Sequence, residues 1–99
     1  MKVRFYKAAQ IEFDSAVEYY ENQLSGLGVR YRHEVLESLE RIKLFPDAYS
    51  PISKRTRRCL VCKFPYGILY KATSDEIIVV AVAHLHQRPD YWVSRIRST

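Results

Sequence analysis

Apolar positions along the first half of the chain recur with a helical period. Phe13, Ala16, Val17, Tyr20 and Leu24 stand at i, i+3, i+4, i+7 and i+11, one face of a predicted α-helix that begins at Lys7. Glu12, Asp14, Glu18 and Glu21 fall mostly off that face. "SGLG" breaks the pattern with two glycines, and a second helix follows with Val35, Leu36, Leu39 and Ile42 inward and Glu34, Glu37 and Glu40 outward. Pro46 cannot continue it, so it ends near "FPD". Two helices joined by so short a turn pack as an antiparallel hairpin. Tyr19 and Tyr20, on or beside the apolar face, read as packing residues.

Elsewhere the period is that of strands. "KVRFY" alternates basic and apolar residues and predicts a short first strand, placed at the edge or in the middle of a sheet. "AYSPISKRT" reads as a loop, and "RRCLVCKF", "YGILYKA" and "EIIVVAVAH" as three strands joined by turns at "FPYG" and "TSDE". Consecutive strands with short turns form an antiparallel meander. "RPDYWVSRIRST" is a tail with a short helix starting at Pro89. The fold class is α+β, in the order β-α-α-β-β-β, with a helical hairpin packed on a small, mainly antiparallel sheet and a short C-terminal helix or tail. The 99 residues, 1–99, make one domain.

Composition narrows the setting. No run of eighteen apolar residues predicts a membrane span, and the N-terminal stretch has no apolar core of a secretory signal, so a cytoplasmic protein is expected. Cys59 and Cys62 form a CxxC, but within a strand-like run positions three apart face opposite ways. The two sulfurs are therefore expected not to meet, and one CxxC alone is a weak zinc signal. Charge is more informative. Net charge is +5, yet from Ala48 to Ser74 there is no acid against Lys54, Arg55, Arg57, Arg58, Lys63 and Lys71. From Glu12 to Glu40 seven acids face Arg30 and Arg32. A chain polarised in this way calls for an anionic partner on its basic side.

The candidate chemistry gathers in "AHLHQRPDYW". His84 and His86 share a face if the last strand continues that far, and Arg88 and Tyr91 follow at once. Imidazole moves protons near neutral pH, arginine forks onto phosphate, and an aromatic ring stacks on an exposed base. Arg57 or Arg58 could join them from a neighbouring strand, but adjacent strand residues face opposite ways and the sequence leaves open which one does. Together these are the parts of a metal-free ribonuclease. The other reading is a strand end whose aromatic residues pack the tail. There is no glycine-rich phosphate loop, no nucleophile elbow and no paired-carboxylate motif, and neither a metal nor a cofactor is expected.

"FPYGILY" followed by "IIVVAVAHLHQRPDYW", behind the helix pair, resembles the ParE/RelE superfamily of type II toxins over nearly the whole chain. The resemblance implies a bacterial growth inhibitor silenced by a cognate antitoxin whose C-terminal segment wraps the helical hairpin and part of the sheet. For a RelE-type toxin, which cleaves mRNA on the ribosome, it implies catalytic roles for Arg58, His84 and Tyr91. The candidate binding residues, for either type, are Lys54, Arg55, Arg57, Lys63, His86, Arg88 and Trp92. "HLHQRPDYW" lacks the dense basic run of that type and is more similar to sequences grouped with ParE, which poisons DNA gyrase. The expectation leans to a ParE-type gyrase poison, with an mRNA endonuclease and an inactive antitoxin-binding member as alternatives.

Overall fold

The computed structural model describes residues 1–97, so Ser98 and Thr99 at the end of the predicted tail lie outside it. Strand β1 (Lys2–Phe5) leads into helix α1 (Lys7–Gln23) and helix α2 (Leu27–Leu44). Then come β2 (Ser50–Pro51), β3 (Arg57–Leu60), β4 (Tyr66–Ala72), β5 (Glu76–His84) and helix α3 (Val93–Arg97). The sheet order is β1-β5-β4-β3-β2. β1 is parallel to β5 at one edge, and the other pairs are antiparallel. The predicted α+β order is present, with one added strand: β2 lies inside the stretch expected to be a loop. Of "RRCLVCKF" only the first four residues are strand. The chain then turns through Lys63, whose φ of 71° is left-handed, and closes with Val61 N–H donating to the Tyr66 carbonyl.

The hairpin turn is built on a close approach. At Gly28 a β-carbon would come within 2.5 Å of the Val17 carbonyl oxygen, so only glycine lets α2 cross α1 there. Gly26, at φ +89°, makes the left-handed turn before it. Glu21 receives the N–H groups of both Gly26 (2.9 Å) and Gly28 (3.0 Å), satisfying donors that open α2. Leu24 and Leu36 do not face inward as the periodicity predicts: Leu24 has left the helix as its C-cap, and Leu36 and Tyr19 are exposed. Tyr31 and Ser38 take the buried places on α2 instead.

The sheet is buried on both faces, which is why "EIIVVAVAH" is apolar without interruption. On one face the hairpin packs Phe13, Ala16, Tyr31, Val35, Leu39 and Ile42 against Cys59, Ile68, Tyr70, Ile77, Val79 and Val82. On the other the tail lays Trp92 over Leu69, Val80, Ala81 and Ala83, with Tyr91, Val93 and Ile96 alongside. The tail reaches this position through successive turns at 84–95, so α3 begins at Val93 and not at Pro89. Trp92 Nε1–H donates to the Pro89 carbonyl at 2.8 Å.

A β-bulge divides β5. Leu69 pairs with Ala81 and Tyr70 with Val79, leaving Val80 as an extra residue. Val80 and Ala81 therefore both face the tail, and every residue beyond has its side reversed. β1 ends at the same level, where Tyr6 N–H donates to the Val79 carbonyl. Past that point side chains take over the open edge of β5. Glu12 Oε1 accepts the Val82 N–H (3.0 Å), and Arg95 Nη1 donates to the Val80 carbonyl (3.1 Å). Arg95 also forks onto both oxygens of Glu12 at 2.9 and 2.8 Å, and Tyr91 Oη donates to Glu12 Oε2 at 2.8 Å.

Two predictions follow from this packing. Glu12→Ala strands a partly buried guanidinium and a strand N–H, and should cost about 3 kcal/mol, lowering Tm by more than about 10 °C; a thermal melt within about 2 °C of the parent would contradict the clamp. The second concerns the buried phenols. Burial holds the Tyr31 and Tyr91 hydroxyls well above the ordinary tyrosine range, with the bond to Glu12 adding to the effect at Tyr91, and pushes Tyr70 up to about 12. As pH rises the unfolded chain loses these protons first. The stability they contribute is thus intact below the unfolded value of about 10 and is lost as pH climbs through the raised folded values. Urea midpoints should be level from pH 7 to about 9.5 and fall beyond. Tyr31 Oη is buried with no hydrogen-bond partner among the described residues, so Tyr31→Phe should stabilise by about 1 kcal/mol and shallow the alkaline fall.

Candidate functional site

Two clefts meet at the end of β5. One face of the site lies on the tail side, where Arg58, Leu69, Ala83, His84, Arg88, Tyr91 and Trp92 help to line a cleft of about 200 Å³. Arg58 reaches it because its β3 position pairs with Leu69 on the tail face. Its aliphatic stem lies across Gly67, where a β-carbon would sit 3.0 Å from Cγ and Cδ. Arg57 does not join it. It pairs with Tyr70, and its Nη1 donates to the Tyr49 carbonyl at 2.7 Å. Of the two arginines that the sequence left undecided, Arg58 is the one at this cleft.

His84 stands at the lip. The bulge turns it toward the hairpin side, where its ring meets Tyr66 edge-on at 5.1 Å. There it lines a second, open groove with Glu12, Ser15, Tyr19 and Val82. β5 ends at His84, so the expected continuation of the strand to His86 is absent, yet the two imidazoles still touch at 5.1 Å. The contact is made by a turn: His86 N–H donates to His84 Nδ1 at 3.1 Å. With Nδ1 accepting, Nε2 is the ring nitrogen left to face outward.

Tyr91 lines the tail cleft with its ring, while its hydroxyl is given to Glu12. Burial and that bond raise its pKa, so it stays a neutral phenol with its proton directed into the fold. Arg95 stacks over the same ring at 5.0 Å. Trp92 is only 5% exposed and packs the tail, while it also lines the tail cleft. Arg88 and His86 are exposed, Arg88 pairing with Asp90 at 3.6 Å. Lys63 lies apart, in a recess with Val29, Arg30, His33 and Phe64 beside α2. Lys54, Arg55 and Arg57 line a separate cavity nearer α3.

The clamp residues Glu12 and Arg95 carry no local signal. Glu12 reads as a solvent-face carboxylate one position off the apolar stripe, and its partners are 70 to 83 residues away. Cys59 is buried in β3 and Cys62 exposed in the turn that follows it, both as free thiols, so the sulfurs do not meet although the strand expected to hold both ends at Leu60. Among the described residues no three His, Cys, Asp or Glu side chains gather into a group that could hold a metal ion. No described helix is long and apolar enough to cross a membrane.

The architecture has solved counterparts. A structure described as the chromosomal ParDE toxin–antitoxin system from P. aeruginosa matches with a TM-score of 0.71 at 12% identity, over 87% of this chain and 97% of that one. At that identity the likeness is one of fold. No curated protein sequence matches the chain. The family model of the ParE toxin of type II toxin–antitoxin systems, parDE, matches residues 3–91, from the first strand to the tyrosine of the clamp. The chain therefore belongs to the ParE toxin family and is the toxin component of a type II toxin–antitoxin module.

Proposed function

We propose that this toxin acts by binding, as a poison of DNA gyrase, and that a cognate antitoxin neutralises it. The observation that carries this reading is the engagement of the Tyr91 hydroxyl by Glu12 at 2.8 Å. A ribonuclease would need that group, or His84, free to exchange a proton with a substrate at the cleft. Here the phenol proton is directed away from the cleft, and His84 Nδ1 is already taken by the His86 N–H, leaving one ring nitrogen where an acid/base pair would use more. Arg58 and Arg88 remain as exposed cations around an apolar recess, a surface suited to docking against a protein.

The antitoxin has a different seat. On α2, Val29, Leu36 and Leu44 recur at spacings of seven and eight residues and are exposed, as is Phe45 at the helix end. Such a stripe suits an amphipathic partner segment that orders as it binds.

The test uses antitoxin-free toxin in two parallel assays. Loss of supercoiling with accumulation of gyrase cleavage complexes, and an intact reporter mRNA in a translation extract, is the expected pair of results. Tyr91→Phe removes only the hydroxyl, and its gyrase inhibition should stay within about threefold of the parent once folding is matched. Cut mRNA with normal gyrase, abolished by Tyr91→Phe, would overturn the proposal in favour of a RelE-type endonuclease.

A further inference from the structure

A cavity with more room than the cleft at the end of β5 lies elsewhere on the sheet. It measures about 550 Å³ and lies between the β2–β3 loop, the end of β4 and α3. Lys54, Arg55, Arg57 and Lys71 line it together with the carboxylate-bearing Asp47. The loop that presents the first two is held by the Thr56 carbonyl, which accepts the N–H groups of Ile52 (2.9 Å) and Ser53 (3.2 Å). Thr56 also lines the cavity, and its buried hydroxyl has no hydrogen-bond partner among the described residues.

The four cations of this cavity outnumber its one carboxylate. Arg4, Arg88 and Arg95 each lie against a carboxylate, but among the described residues no salt bridge reaches any of the four cavity cations. Arg57 and Lys71 donate to neutral oxygens, the Tyr49 carbonyl and the Tyr6 hydroxyl at 2.8 Å, and so are oriented without losing charge. Four like charges around one concavity repel one another, and a bound anion relieves that repulsion. Asp47 and two isoleucines, Ile78 and Ile96, give the same cavity an acceptor and an apolar wall. A bare anion makes no use of either. A ligand with an anionic end, hydrogen-bond donors and a flat apolar body uses all three, and the volume is that of a small-molecule site.

We propose that this cavity binds a nucleoside phosphate. Lys54, Arg55, Arg57 and Lys71 hold the phosphate, the base lies along Ile78 and Ile96, and Asp47 accepts from its amino or ribose hydroxyl groups. The nucleotide is either free or the exposed terminal residue of a strand. The site is separate from the β5 end and does not depend on the gyrase reading.

Isothermal titration of the full-length toxin at 0.15 M salt tests it, with adenosine monophosphate, inorganic phosphate and a short single-stranded DNA as probes. Adenosine monophosphate should bind one to one, and more tightly than inorganic phosphate. Arg55→Ala, a change on an exposed loop, should weaken it at least about tenfold, and Lys71→Met likewise. Arg30→Ala, which removes the same charge from α2, should leave it unchanged. Binding of the DNA no tighter than the mononucleotide supports a free ligand. Much tighter DNA binding with the same Arg55 dependence supports a nucleotide within a strand. Absence of saturable binding, equal affinity for inorganic phosphate, or equal weakening by Arg30→Ala would overturn the proposal.

Discussion

One carboxylate holds three separate parts of this molecule together. Glu12 on α1 accepts from the backbone of β5, from the guanidinium of Arg95 and from the hydroxyl of Tyr91. The need for it arises from topology. β1 must stop at Phe5 because the chain turns into α1 at Lys7, while β5 runs on to His84. An uncovered strand edge inside a packed protein leaves polar backbone groups without partners, and each such group is destabilising by an amount comparable to a lost hydrogen bond. Glu12 and Arg95 fill the place of the missing strand. A buried pair of this kind is favourable only when its remaining hydrogen-bonding capacity is met, and here Val82 N–H, the Val80 carbonyl and Tyr91 meet it.

The bulge and the clamp act as one device. The extra residue at Val80 lets two successive residues face the tail, so Trp92 has a continuous apolar bed of Leu69, Val80, Ala81 and Ala83. The same extra residue reverses the strand beyond it and sends His84 to Tyr66 on the hairpin side. With a regular strand, Val82 would face the tail and His84 would stand with Arg58. The residues that resemble a nuclease set still line one cleft, but the feature that seats the tail turns the His84 ring from it toward Tyr66. A site that recognises a protein tolerates this, because it needs shape and charge at the surface. A site for proton transfer needs heavy atoms within hydrogen-bond reach.

Much of the architecture was legible because it rests on local pattern. The run Glu76–His84 reads as a strand from its β-branched content, and Tyr66–Ala72 from its place between two turn sequences. The hairpin follows from helical periodicity and the glycines between the helices. Leu24 and Leu36 were misplaced because periodicity reports which residues could be inside, whereas the contact surface decides which are. Near the turn the helices touch through Gly28, and the crossing leaves Leu36 outside. The bulge was invisible, since Val80 and Ala81 continue an apolar run without a break. The clamp was invisible for a different reason. Its partners are brought together by the sheet, and sequence spacing carries no trace of a contact between residues 12 and 95. Trp92, a binding residue by the resemblance and a packing residue by its aromatic character, buries its rings and donates its N–H to a turn carbonyl while it lines the tail cleft.

The charge separation seen in the sequence takes a definite form in the fold. The acids of the first half are largely spent on structure or face outward along the hairpin: Glu12 in the clamp, Glu21 on the α2 N-terminus, Glu40 beside Lys43 at 2.7 Å. None of them is placed to neutralise the loop before β3. Lys54 and Arg55 therefore stay unpaired among the described residues on a loop tied only by backbone bonds to Thr56. Self-repulsion of that kind destabilises a small domain, whose burial leaves it a narrow margin. Pairing one of the cations with a nearby acid would be a simple relief, and Asp47 lines the same cavity without forming a salt bridge. The uncompensated charge is accounted for when the cavity and its rim are surfaces for an anionic ligand, because the repulsion in the free protein becomes part of the affinity on binding.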